Sequence, residues 1–202
     1  MILSTTAAVG QDSRPLEAYR KLKYPAKDEN FDKGWKERIL LEHQIVNTVD
    51  VSTLRQSLKD ADPFVRAMAA RALGIRSDTA SADALAELAQ KDPEYTVRIR
   101  AVESLGYLKL RPEVIELAKK DKQLGVQWTA KLAAAAMRSD QDYAVQVRKA
   151  FAVSIRREEL GSAKVGQKAP EFSAETSDGK PFQLAQVLGK KPIAIYFAAF
   201  DG

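Results

Sequence analysis

The chain has 202 residues, 45% of them hydrophobic and 29% charged, with a formal net charge of +5 and no cysteine. Such a composition supports a buried core in one or two domains, and it excludes disulfides, thiol nucleophiles and the commonest zinc ligand set. Charges of both signs are interspersed, so nucleic acid is not expected as a partner, and no apolar run approaches the roughly 20 residues of a bilayer span.

Residues 1–12 are small and apolar before the chain turns polar. They look like the tail of a secretory signal, with Ala8-Val9-Gly10 as a small-residue cleavage site, although no cation precedes Arg14. Two readings stand: a start that lies upstream, or an ordinary tail. An exported or periplasmic location goes with the first, a cytoplasmic one with the second. Helices are expected from Pro15 to Tyr24 and from Gly34 to Thr48, and residues 13–50 read as the capping end of a helical array. Trp35, Ile39, His43 and Val46 fall on one side of the second helix. His43 is the only histidine, so no histidine cluster forms a metal site, and it reads as a packed or surface residue rather than a base. No catalytic, cofactor-binding or metal-binding residue is assigned anywhere in the chain.

Residues 51–159 repeat. Asp62-Pro63 opens a segment whose Val65, Arg66, Ala69, Leu73 and Gly74 recur 32 positions later as Val97, Arg98, Ala101, Leu105 and Gly106, after Asp92-Pro93. A weaker copy has Val126, Ala130 and Ala134, with Gln127 in place of the arginine, and a fourth, looser helix carries Val147-Arg148. Aspartate before proline marks a helix start: the carboxylate caps orphan N–H groups, and proline fits the first turn. Val65, Met68, Ala69, Ala72 and Leu73 then form one buried stripe. Gly74 and Gly106 are placed where each helix ends and the chain turns. Shorter periodic segments lie between: Val51 to Leu58, Ala84 to Ala89 and Val114 to Ala118. Helix pairs of about thirty residues that cannot bury their faces alone bury them by stacking.

This pattern resembles the short bacterial HEAT-like repeats, of the kind also seen in phycobilin lyases. The resemblance implies an α-solenoid in which Asp62, Pro63, Arg66, Asp92, Pro93 and Arg98 are structural signature residues, the aspartates and arginines linking neighbouring repeats. It implies a protein partner held on the helical surface and is silent about chemistry.

Past a linker at 160–164 the period changes. Residues 165–202 carry Gly166, Ala169, Pro170 and Phe172, then Asp178-Gly179, Leu184, Gly189-Lys190, Pro192 and the apolar run Ile193 to Phe197. Asp-Gly between short alternating segments is a hairpin signal, Leu184 to Leu188 fits one helical turn closed by Gly189, and the last run fits a buried strand. This order is similar to the opening of the redoxin families: peroxiredoxins, alkyl hydroperoxide reductases and thioredoxin-like oxidoreductases. Gly166, Pro170, Phe172, Asp178, Gly179, Gly189 and Phe197 take the family's structural positions. In those families a redox cysteine follows the strand; here Ala198 to Gly202 follow, so no catalytic residue is carried over. The expected fold class is therefore mainly α, a HEAT-like solenoid with a truncated thioredoxin-like α/β segment. The chain then reads as a fragment of a thiol-dependent oxidoreductase, an early-ended gene product, or a helical-repeat interaction module with a vestigial redoxin segment. A selenocysteine codon read as a stop is a variant of the second. As it stands the 202-residue chain is expected to lack redox activity.

Overall fold

Capping chemistry sets where the helices begin. Asp50 accepts from the Thr53 amide (2.9 Å) and from its hydroxyl (2.6 Å), and the helix Val51–Ser57 starts there. Asp62 accepts from the Phe64 amide (2.9 Å) with Pro63 in the first turn of the helix Pro63–Ile75. Each such cap contributes about 1 kcal/mol. The computed structural model describes residues 13–22, 35–140, 142–152, 166–167, 173–175 and 180–190. Among them lie nine α-helices: α1 Arg14–Lys21, α2 Trp35–Thr48, α3 Val51–Ser57, α4 Pro63–Ile75, α5 Ala82–Lys91, α6 Tyr95–Leu108, α7 Pro112–Ala118, α8 Leu124–Arg138 and α9 Tyr143–Ala152. The chain divides into two units, Met1–Ile155 and Arg156–Gly202.

In the first unit α3 pairs with α4, α5 with α6 and α7 with α8, and α4, α6 and α8 stack side by side in one row. The stripe Val65, Met68, Ala69, Ala72 and Leu73 is buried, as are Val97, Ala101 and Leu105 at the matching places of α6. Burying a leucine of this kind contributes about 1.5–3 kcal/mol. The third copy buries Val126, Ala130 and Ala134 on the same stripe of α8. α1 packs on α2 and α4, and Leu16, Tyr19, Ile45, Val46 and Val49 close that end of the core.

Three features differ from the sequence expectation. First, Gly74 and Gly106 lie in the last turns of α4 and α6, still helical and ahead of the residues that turn the chain. A Cβ on Gly74 would fall 2.4 Å from Ser104 Oγ, and one on Gly106 2.7 Å from Ala133 Cβ. Glycine is needed there for close helix approach. Ser104 Oγ donates to the Ala70 carbonyl (2.9 Å) across the first of these contacts. The turns are made instead by Ser77 (φ 55°) and Lys109 (φ 54°). Around each, the amides of the turn fold back on the helix end. Asp78 N donates to Leu73 O, and Leu110 N to Leu105 O.

Second, the two Asp-Pro pairs are not equivalent. Arg66 Nη1 donates to the carbonyls of Asp60 and Ala61, as Arg98 Nη1 does to those of Asp92 and Pro93. Asp92 therefore matches Asp60, and α6 begins after Glu94. Third, the fourth motif forms a helix that does not extend the row. α9 packs back on α2, α4 and α6. There Phe151 stacks on His43, with centroids 4.6 Å apart.

In the second unit, strand β1 Ser173–Glu175 runs antiparallel to β2 Pro181–Gln183, pairing Ser173 with Gln183 and Glu175 with Pro181. A 3₁₀ turn, Leu184–Gln186, follows with Leu184 buried. Gly166 (φ 79°) and Gly189 (φ 75°) both take the left-handed conformation that favours glycine.

Candidate functional site

An arginine–aspartate ladder runs through the helical unit. Arg20 of α1 holds both carboxylate oxygens of Asp60, each at 2.7 Å. Arg66 of α4 holds both of Asp92 (2.7 and 2.9 Å), and Arg98 of α6 both of Asp121 (2.8 and 2.9 Å). Each rung is a two-pronged, charge-assisted pair joining one helix to the next unit's loop. The same aspartates cap locally: Asp60, Asp92 and Asp121 accept from the amides of Asp62, Glu94 and Gln123. Gln127 ends the series. Its amide reaches the Asp121 carbonyl (2.7 Å), repeating the inward half of the arginine's role.

Burial grades the rungs. The Arg66 and Asp92 side chains are 13% and 3% exposed, so removing either partner strands a charge in a low-dielectric place. Arg20–Asp60 is more open and weaker by screening. The Arg20 guanidinium, through its hydrogen bonds, holds the Asp60 carboxyl below its ordinary value, and Arg98 does the same to Asp121. Asp50 is pulled down to about 2, first by the Ser52 hydroxyl and then by that of Thr53. Asp62, unlike Asp92, makes no rung; it caps α4, with Pro63 beside it, while Pro93 offers its carbonyl to Arg98. A further bidentate pair, Arg55 with Asp78, ties α3 to the turn after α4.

A second polar cluster lies where α1, α2 and α4 meet. Glu42 accepts from Tyr19 Oη (3.2 Å) and from Arg71 Nη1 (2.9 Å). The Arg71 guanidinium also faces the Phe151 ring at 5.7 Å, and Asn47 Nδ2 donates to the Phe151 carbonyl. Burial against this ring pushes His43 below the ordinary histidine value, so it is neutral at pH 7. Among the described residues, no group of three or more His, Cys, Asp or Glu side chains is placed to hold a metal ion. No described helix is long and apolar enough to cross a membrane.

Exposed apolar side chains mark the surface. Phe64, Tyr95 and Leu124 stand in the first turns of α4, α6 and α8, one for each helix of the row. Trp128 and Leu132 continue from Leu124 along α8. Sequence reading missed these three α8 residues, although they alternate with the buried Val126 and Ala130 as a second apolar stripe. It also missed Arg20, Asp60 and Asp121, whose partners lie 23 to 40 residues away in sequence. An open cleft of about 370 Å³ lies between α3 and α5, with Leu58, Ala84 and Leu88 among Arg55, Lys59 and Lys91.

Of the tail's motif residues, Gly166 and Gly189 hold left-handed turns, while Pro170, Phe172, Asp178, Gly179 and Phe197 lie outside the described residues. No curated protein matches this chain. Residues 44–106, which run from α2 to Gly106 of α6, match the family model for HEAT repeats. With its paired helices stacked in a row, the helical unit is thus a solenoid-like array that carries HEAT repeats.

Proposed function

We propose that the helical unit is a rigid scaffold that holds a protein partner on its repeat surface. HEAT repeats commonly mediate protein interactions, and one observation carries the reading further for this chain. Tyr95 and Leu124, each two places before the buried valine of its helix, and Phe64, one place before Val65, are exposed in the first turns of three successive row helices. Exposed apolar side chains on successive helices of a stiff support give a partner several anchor points at little ordering cost. The test is affinity capture with the full chain, followed by reconstitution with each purified partner. Binding weakened by Tyr95→Ser or Phe64→Ser is the expected result. A chain that recovers no partner, or whose partners ignore every substitution on the repeat surface, sinks the reading.

A second reading is favoured by the second unit. In it the complete protein is a thiol-dependent oxidoreductase acting on a peroxide or disulfide, exported, with the HEAT repeats as its docking scaffold. Its cysteine or selenocysteine lies beyond Gly202. What supports it is the order of the β1–β2 hairpin, the Leu184 turn and the left-handed Gly189, which is the order the redoxin resemblance implies. Turnover of hydrogen peroxide or of a disulfide substrate is measured on the protein extended past Gly202. An extension with neither Cys nor Sec in the first helix after the final strand ends this reading, and leaves a scaffold with a vestigial redoxin segment.

A further inference from the structure

We propose that the exposed face of α8 is the docking site for an amphipathic helix of a partner protein, one whose apolar stripe is flanked by acidic residues. The inference rests on the scaffold reading and names its site and the chemistry of its occupant. Leu124, Trp128 and Leu132 recur every four residues on α8 and are 70%, 58% and 49% exposed. Residues so spaced form a single stripe of a helix.

Register explains what the stripe is for. Val97 of α6 and Val126 of α8 occupy the same place in successive row helices, so Trp128 stands where Ile99 stands and Ala135 where Gly106 stands. Ile99 reaches α8 at Gly125, and Gly106 meets α8 at Ala133. The residues with which α6 grips its next neighbour are thus matched on α8, where Trp128 and Ala135 are exposed. A helix is the shape that fits.

The ladder says where that helix comes from. α4 and α6 hold the next repeat of their own chain by Arg66 and Arg98 as well as by apolar contact. α8 keeps the apolar residues and has Gln127 at the arginine's place, turned back to the Asp121 carbonyl. An uncharged amide makes no ionic clamp on a following repeat's aspartate. The grip that remains suits a helix that arrives from another molecule and dissociates from it.

Charge narrows the occupant. Lys131 and Arg138 are the only charged residues of α8, and both are cations. The Lys131 ammonium lies over the Trp128 ring, 4.7 Å from its centroid. Cations beside an apolar stripe favour acidic flanks on the incoming helix. They oppose a second copy of α8, which would set lysine against lysine.

The test is a phage-displayed library of helical peptides about five turns long, randomised at every position and selected against the full chain. Enriched peptides are then measured by fluorescence anisotropy on the wild-type chain, Trp128→Ser and Leu132→Ser. The expected winners combine an apolar stripe with Glu or Asp on its flanks. Their affinity drops about tenfold or more on Trp128→Ser, as for a central aromatic anchor, while the thermal midpoint of the variant stays at the wild-type value. Winners without acidic flanks, winners that bind Trp128→Ser as well as wild type, or no winners at all overturn the proposal. Sedimentation of the full chain closes the remaining route: a dimer that Trp128→Ser dissolves assigns the stripe to a second copy and also overturns it. A purified partner lost on Tyr95→Ser but retained on Trp128→Ser overturns this inference alone and leaves the scaffold reading standing.

Discussion

A methyl group at Gly74 would sit 2.4 Å from Ser104 Oγ and 2.7 Å from Ser104 Cα, closer than non-bonded atoms approach. Alanine is the better helix former by about 1 kcal/mol, yet overpacking costs about 1–3 kcal/mol. Gly74→Ala is therefore expected to lower the urea unfolding midpoint; a rise would mean that α4 and α6 are not in such close contact. Asp92 and Asp62 make the complementary comparison. Asp92→Asn leaves the Arg66 guanidinium without its buried counter-ion and should cost about 3 kcal/mol. Asp62→Asn keeps a good N-cap residue and should be close to neutral. Equal losses at the two positions would contradict the different roles that the structure gives these two Asp-Pro motifs.

At the scale of elements, the ladder makes helix–helix coupling sensitive to acid. The folded-state values of Asp60 and Asp121 lie below the ordinary carboxylate value of 3.8, and that of Asp50 is about 2. A depressed carboxylate stabilises the fold above its unfolded value and loses that contribution as pH falls through the folded value. Neutral His43 acts with the same sign, since its folded value lies below 6.5 and the unfolded chain takes up its proton first. Urea midpoints should thus be level near pH 7, fall slightly below about 6.5, and fall steeply from about 4 towards 2. A midpoint that rises on acidification would reverse the sign and contradict the ladder. Helix α9 depends on different forces. It is held by Phe151 on His43 and Arg71 and by the Asn47 hydrogen bond. Phe151→Ala should speed amide hydrogen exchange across 143–152 and raise the His43 value towards 6.5, while α4 and α6 keep their protection. Unchanged exchange in α9 would show that another contact anchors it.

Across the whole helical unit, inside and outside are set by which neighbour each stripe of a row helix meets. Leu105→Ala opens a void between α6 and its neighbours and should cost about 2–5 kcal/mol. Trp128→Ser removes a larger apolar side chain, yet should shift stability by no more than about 0.5 kcal/mol, because the ring already faces solvent. Chemical unfolding of the two variants side by side checks both numbers. The repeats themselves were legible in the amino-acid order. Val65, Arg66, Ala69 and Leu73 recur as Val97, Arg98, Ala101 and Leu105, and a helical period with caps is a local property that needs no neighbour to be read. The order of the helices, the buried stripes of α4, α6 and α8 and the pairing of β1 with β2 follow from the same local rules. The ladder's partners were not legible, because an arginine's choice among aspartates depends on which loop stacking brings within about 3 Å. Nor was the role of Gly74 and Gly106: a glycine near a helix end satisfies a turn and a close helix contact equally well in sequence. The return of α9 onto α2, α4 and α6 and the bare apolar stripe on α8 share that origin. Sequence determines that a helix has an apolar face, but only the packed array decides which faces find a partner within the chain, since burial is a property of two surfaces.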